Sequence, residues 1–232
     1  MNLKKIKNLI SNNSIPIFNR VLKFLRSFYK EQHQITSTTS ADRYPPLFIE
    51  VSEVSRRSGQ IQDAVLLSFG CSTGEECFTL RKYFPKAKII GADIRKSNLR
   101  RAIKNKKDDR THFIFSNPDN IKLNGPYDII FCLSVLCRWN DTEFVNNCKE
   151  IYPFTKFDET ISMLANNLKN GGLLVIYNSN FRFEDATAYF QFQNIPTRSL
   201  PNSGFVHKFD KSNNKTSNVH NNIVYKKKLR SL

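Results

Sequence analysis

Apolar residues in this chain gather into short runs of strand length, and the runs alternate with stretches of helical spacing. Residues 65–69 form the first run, which breaks at Gly70 and turns through small residues to Gly74. The chain restarts over 75–84 with Phe78, Leu80 and Phe84 on one face, so strand, tight turn and helix follow one another. The succession repeats as an apolar run at 87–93, a basic helix at 98–107 and strands at 111–117 and 127–133. A helix over 156–169 carries Phe157, Ile161, Leu164 and Leu168 and reaches a glycine C-cap at Asn170-Gly171-Gly172, before a strand at 173–177. Such alternation predicts an α/β fold, a doubly wound and mostly parallel sheet.

Ahead of this core, residues 17–30 read as a helix with Phe18, Val21, Leu22, Leu25 and Phe28 on one face and Arg20, Lys23, Arg26 and Lys30 mainly opposite. Residues 31–42 form a polar linker, and Pro45 and Pro46 hold off any further helix until Leu47. The expected division is a basic N-terminal helix and linker over 1–42 and one domain over 43–232, since 232 residues suffice for one α/β domain and a small appendage.

Charge changes the picture little. A net charge of +16 could serve nucleic acid or an anionic membrane. The basic residues are spread along the chain and accompany many Asn, Ile and Phe, the mix an AT-rich genome produces. Nucleic acid is therefore not expected as a partner, and peripheral membrane contact is expected only through the basic N-terminal helix. The cysteines at 71, 77, 132, 137 and 148 form no CxxC pair and no Cys/His cluster of metal-ligand spacing, so no metal is expected. With no apolar run near the roughly 18 residues of a membrane span, a cytoplasmic protein with reduced thiols is expected.

The chemistry centres on the turn at 70–74. A helix starting there offers free N–H groups and its positive dipole end to a ligand above the turn. Glu75 and Glu76 would repel a pyrophosphate, so the ligand should carry no phosphate there. S-adenosylmethionine satisfies this, with an adenosine, a sulfonium and an ammonium, and Glu75 or Glu76 could hold its cationic end. Asp93, with Ile94 beside it, closes the next strand near the offset of about 20 residues at which a carboxylate meets ribose hydroxyls in a βαβ unit.

Gly70-Cys71-Ser72-Thr73-Gly74-Glu75-Glu76 resembles the GCSTGEE signature of CheR-type methyltransferases, within the class I S-adenosylmethionine-dependent family. The resemblance covers about 65–177 and implies that Gly70, Cys71, Ser72, Thr73, Gly74 and Glu75 hold the cofactor. The spacing of Thr39, Arg43 and Phe48 is similar to the family's lid segment, which implies a cofactor contact from Arg43. Class I domains usually present an acidic or amide side chain to adenine after the third strand, which implies Asn117, then Asp119. Residues 127–139 resemble the family's FDLIFCRNVLIYF segment, with Ser134 in place of its asparagine and Arg138 in place of its tyrosine. Ser134 is thus both a cofactor and an acceptor candidate. The strand-like runs at 204–209 and 223–228 look like the antiparallel pair that closes a class I sheet.

Acceptor-side candidates follow the fourth and fifth strands: Ser134, Arg138, Trp139, Asn178, Asn180 and Arg182. Guanidinium groups grip carboxylate or phosphate, and an indole can stack on a sugar ring. Little room remains for the family's receptor-docking subdomain, so a small molecule or glycan stands beside a protein carboxylate as acceptor. Two other readings stay open. Gly70-x-Ser72-x-Gly74 matches the nucleophile elbow of α/β-hydrolases, with Asp93 or Asp128 and His207 or His220 as partners. A non-catalytic S-adenosylmethionine-binding module is the other.

Overall fold

The computed structural model describes residues 32–35, 39–57, 59, 63–198, 202–217 and 221–229. The helix expected over 17–30 and His220 lie outside the described residues. In chain order the elements are α1 (Pro45–Arg57), β1 (Val65–Phe69), α2 (Glu75–Tyr83), β2 (Lys88–Asp93), α3 (Lys96–Asn105), β3 (Thr111–Phe115), α4 (Pro118–Asn124) and β4 (Tyr127–Leu133). There follow the one-turn α5 (Trp139–Thr142), α6 (Phe154–Asn166), β5 (Leu168–Tyr177), two 3₁₀ turns, β6 (Phe192–Ile195), β7 (Lys208–Phe209), β8 (Lys215–Thr216) and β9 (Val224–Lys227).

Seven strands form one sheet in the order β3-β2-β1-β4-β5-β9-β6, with β3, β2, β1, β4 and β5 parallel and β9 antiparallel to both its neighbours. The expected mostly parallel, doubly wound sheet is present. Its strand order reverses between β1 and β4, the place where such sheets open a crevice at their carboxyl ends.

Both faces of the sheet are buried, which explains why the strands read as continuous apolar runs. Leu66 and Ile129 point to one face with Leu47, Phe48 and Val51 of α1 and Leu80 of α2. Leu67 and Ile130 point to the other, under Phe157, Ile161 and Leu164 of α6. These three α6 side chains are fully buried, each worth about 1.5–3 kcal/mol over exposure.

Three expectations are corrected. Helix α1 begins at Pro45, two residues before Leu47, because a proline in the first helical turn lacks only an N–H that has no partner there. Asn170-Gly171-Gly172 is not a C-cap: α6 stops at Asn166, and the glycines lie inside β5. There the pairing jumps from Tyr127↔Leu168 to Ile129↔Leu173, and a bulge absorbs the surplus residues. Finally, β9 pairs with β6 rather than with 204–209, whose only strand, β7, forms a separate ribbon with β8. The run at 192–195 has too few apolar residues to announce β6.

Candidate active site

Three residues just past strand ends take left-handed backbone: Ser72 (φ 51) after β1, Ser134 (φ 57) after β4 and Asn178 (φ 55) after β5. Non-glycine residues adopt this region at a cost of about 1–3 kcal/mol, and such strain gathers at binding sites. Gly70 turns with φ 80, and a Cβ there would fall 2.3 Å from Val135 Cγ2, so only glycine fits the exit of β1. The turns at Gly70, Ser72 and Ser134 rim a cavity of about 1070 Å³ at the carboxyl ends of the parallel strands.

Of the expected cofactor residues, Gly70, Cys71, Ser72, Asp93, Ile94, Asn117, Ser134 and Arg43 line this cavity. Thr73, Gly74 and Glu75 do not: the Thr73 hydroxyl donates to Glu75 Oε2 at 2.6 Å, closing that pair on itself. Of Glu75 and Glu76, it is Glu76 that lines the cavity. Its Oε1 accepts from Ser68 Oγ at 2.8 Å, and burial raises its carboxyl to about 7 against the pull of the Ser68 hydrogen bond and the Arg43 charge.

Asp93 is fixed by three donors. Ser72 N bonds Oδ2 at 2.9 Å, while Arg95 N at 2.7 Å and Asn98 Nδ2 at 3.2 Å bond Oδ1. Burial still outweighs these bonds and raises its pKa. A carboxylate accepts about four hydrogen bonds, so capacity remains toward the cavity. Asn117 caps α4, its Oδ1 accepting from Asn120 N at 2.8 Å, so that oxygen is partly committed before any ligand arrives.

The acceptor-side candidates divide. Ser134 and Arg138 line the cavity, whereas Trp139, Asn178, Asn180 and Arg182 do not. Asn178 and Asn180 are buried and spend their amides on the protein itself. Arg182 makes a two-point contact with Asp185, both bonds at 2.9 Å. Trp139 stands beside Phe205, and both are exposed.

Sequence reasoning missed further cavity residues, among them Tyr44, His33, Gln32, Arg95 and Lys156. Tyr44 OH lies 2.9 Å from Ser134 Oγ, which also accepts from Asn178 Nδ2 at 2.9 Å. His33 Nδ1 is 2.6 Å from Tyr152 OH and Nε2 is 3.1 Å from Thr160 Oγ1; burial and the nearby Lys156 and Arg138 charges lower its pKa to about 3. Held neutral, His33 is a poor proton acceptor. Lys156 Nζ and Arg138 Nη2 both donate to Gln32 O, at 2.7 and 2.8 Å, and Arg95 Nη2 bonds Gln32 Oε1 and Ile35 O. Gln32, His33 and Gln34, expected within a linker, thus form one wall of the cavity. No periodicity marks so short a polar stretch.

Among the described residues no hydrolase triad assembles at Ser72: Asp93 accepts from its backbone N–H and not from its hydroxyl, and His220 lies outside the described residues. Asp128 lies at the amino end of β4, bonded to Val65 N and Lys169 Nζ, while Ser72 lies at the carboxyl end of β1. His207 is exposed. The Ser72 hydroxyl is buried on the cavity wall and has no hydrogen-bond partner among the described residues. A buried orphan hydroxyl, an acidic anchor with spare capacity and a cavity of this size together fit an adenosine-bearing ligand.

Residues 62–231 match the family model described as a methyltransferase domain. No curated protein sequence matches the chain. Among solved structures, the sugar N-methyltransferase KedS8 of Streptoalloteichus is 18% identical over 59% of this chain and 48% of its own, with a TM-score of 0.43. The amino pentose methyltransferase CalS10 of Micromonospora echinaspora is 17% identical over 65% and 58%, with a TM-score of 0.41. The plantazolicin methyltransferase BpumL, solved with S-adenosylhomocysteine and a monoazolic desmethylPZN analog, is 18% identical over 57% and 46%, also with a TM-score of 0.41. The chain spans about half the length of these structures, and likeness so remote leaves the family match to carry the assignment. The chain belongs to the methyltransferase domain family, and its sheet is the doubly wound, mostly parallel one of a class I domain.

Proposed function

We propose that the protein transfers the methyl group of S-adenosylmethionine to a small, hydroxyl-rich acceptor entering beside Ser134. The observation that carries the cofactor half is the placement of opposite charges along one cavity: Glu76 and Asp93 as carboxylates, Arg43 as a cation close enough to oppose the rise in the Glu76 pKa. Asp93 would take the ribose hydroxyls, Glu76 the ammonium and Arg43 the carboxylate of the aminoacyl end, with the Ser72 hydroxyl and Asn117 toward the nucleoside. Bound there, S-adenosylmethionine supplies a methyl carbon already activated by its sulfonium, so the protein contributes alignment rather than covalent catalysis.

The CheR-type heptapeptide supports this cofactor side. The departures at Ser134 and Arg138 favour an acceptor other than a receptor carboxylate, because they fall where the acceptor enters. Tyr44, Ser134 and Asn178 give that region a connected set of hydroxyl and amide groups that can orient an acceptor hydroxyl. Arg138, whose side chain is 8% exposed, holds the wall at Gln32 rather than reaching outward. Isothermal titration with S-adenosylmethionine and S-adenosylhomocysteine tests the reading. Saturable heat is expected for both, weakened by Asp93→Ala, and no heat at millimolar ligand with folded protein would overturn it.

A further inference from the structure

At the acceptor end of the crevice two exposed aromatic rings are held in place by buried amides. Trp139 and Phe205 are 38% and 64% exposed, with ring centroids 5.7 Å apart and planes at 84°. An edge-to-face pair of this kind leaves ring surface open to solvent. Beneath the rings lies a notch of about 30 Å³, lined by Gln34, Arg43, Ser134 and Cys137 together with the two aromatics and Val206. Three of these residues, Gln34, Arg43 and Ser134, also line the large cavity, so the notch adjoins the cofactor site.

The backbone around both rings is pinned by the two asparagines that follow β5. Asn180 Oδ1 accepts from Arg138 N, just before Trp139, at 2.7 Å, and its Nδ2 donates to His207 O at 2.8 Å. Asn178 Oδ1 accepts from Phe205 N itself at 3.0 Å. Gly204 makes this approach possible: with φ 104, any Cβ there would stand 1.8 Å from Asn178 Oδ1. Asn178 and Asn180 are 1% and 0% exposed. Two surface rings anchored by a buried polar network are preorganised, and preorganisation removes the ordering cost a ligand would otherwise meet.

We propose that Trp139, Phe205 and the notch beneath them bind the methyl acceptor as a sugar ring, its apolar C–H face against the aromatic pair and one hydroxyl in the notch. This rests on the methyl-transfer reading above and names its substrate class. A volume of about 30 Å³ takes a group the size of one hydroxyl or water, not a second ring. The notch is polar, with the Ser134 hydroxyl, the Gln34 amide and the Arg43 guanidinium. A wholly apolar occupant would strip water from these groups without replacing its hydrogen bonds, whereas a ring with an apolar face and polar rim satisfies both surfaces.

Trp139 is the single tryptophan of the chain, so its emission reports on the rings directly and without methyl transfer. Protein saturated with S-adenosylhomocysteine is titrated with methyl hexosides, methyl 6-deoxyhexosides and methyl aminohexosides, with benzoate and inorganic phosphate as rival probes. A saturable emission change is expected for at least one glycoside and for neither rival. Phe205→Ala, with Phe205→Leu as the milder variant, should weaken that response tenfold or more while calorimetric affinity for S-adenosylhomocysteine stays within twofold. A response to benzoate or phosphate alone overturns the sugar assignment. Silence from every probe while S-adenosylhomocysteine binds overturns the site and leaves the methyl-transfer reading standing. Failure of S-adenosylhomocysteine itself to bind removes both.

Discussion

Replacing Glu76 by glutamine separates charge from shape at the position proposed for the cofactor's cationic end. Burial raises the Glu76 carboxyl from 4.5 to about 7, so near pH 7 the empty protein carries it about half protonated. A ligand ammonium beside it requires the ionised form. Binding of S-adenosylhomocysteine should therefore release a fraction of a proton near pH 7, more as the pH falls toward 6 and less as it rises toward 8. Glu76→Gln keeps an oxygen for the Ser68 hydroxyl but has no proton to lose. The release should vanish and affinity should fall by about 1.5–3 kcal/mol, roughly ten- to a hundredfold.

Stability should move the other way. Because the folded value lies above the unfolded one, wild-type protein is favoured while Glu76 is protonated and loses that advantage as pH rises through about 7. The interval from 4.5 to about 7 corresponds to about 3 kcal/mol at most, which water in the cavity reduces to about 1–2 kcal/mol. Glu76→Gln should thus melt higher than wild type at pH 8 and gain nothing at pH 4. Calorimetric titration in buffers of different ionisation enthalpy reads the proton release, and thermal melts across pH read the stability. Wild-type binding without proton release, or release retained in the variant, would refute the reasoning.

Asp93→Ala leaves Ser72 N, Arg95 N and Asn98 Nδ2 without their acceptor and removes the proposed ribose anchor; S-adenosylhomocysteine affinity measured by calorimetry should drop by about 1–3 kcal/mol. Ser72→Ala should lower that affinity by less than tenfold, and a fluorophosphonate probe should not label Ser72 in the wild type. Arg138→Ala removes one of the two cations that hold Gln32 O, so hydrogen exchange over residues 32–35 should accelerate while the sheet stays protected. Arg182→Ala breaks the pair with Asp185, outside the cavity, and should cost about 1 kcal/mol or less in stability with cofactor affinity unchanged.

The central strands β1 and β4 were legible because they are buried on both faces and read as largely apolar runs; the turn at Gly70 was legible because it interrupts one. Asp93 could be picked out because the βαβ unit fixes its offset from the turn. What the sequence hid was set by tertiary contact. Either glutamate at 75 or 76 could serve a ligand by pattern alone, and only the phase of α2 shows that Glu76 lines the cavity while Glu75 bonds Thr73. Asn178 and Asn180 lie at the carboxyl end of β5, as a ligand residue would, yet their side chains turn inward to hold backbone. Residues 32–34 carry neither periodicity nor a motif, and they become part of a wall through hydrogen bonds to Arg95, Arg138, Tyr152, Lys156 and Thr160.

The central claim is tested most directly by a crystal structure of the protein grown with S-adenosylhomocysteine. Density is expected at the carboxyl ends of β1 and β2, with the ribose hydroxyls on Asp93 and the aminoacyl end between Glu76 and Arg43. Ligand bound away from Asp93, or with its amino group distant from Glu76, would contradict the account.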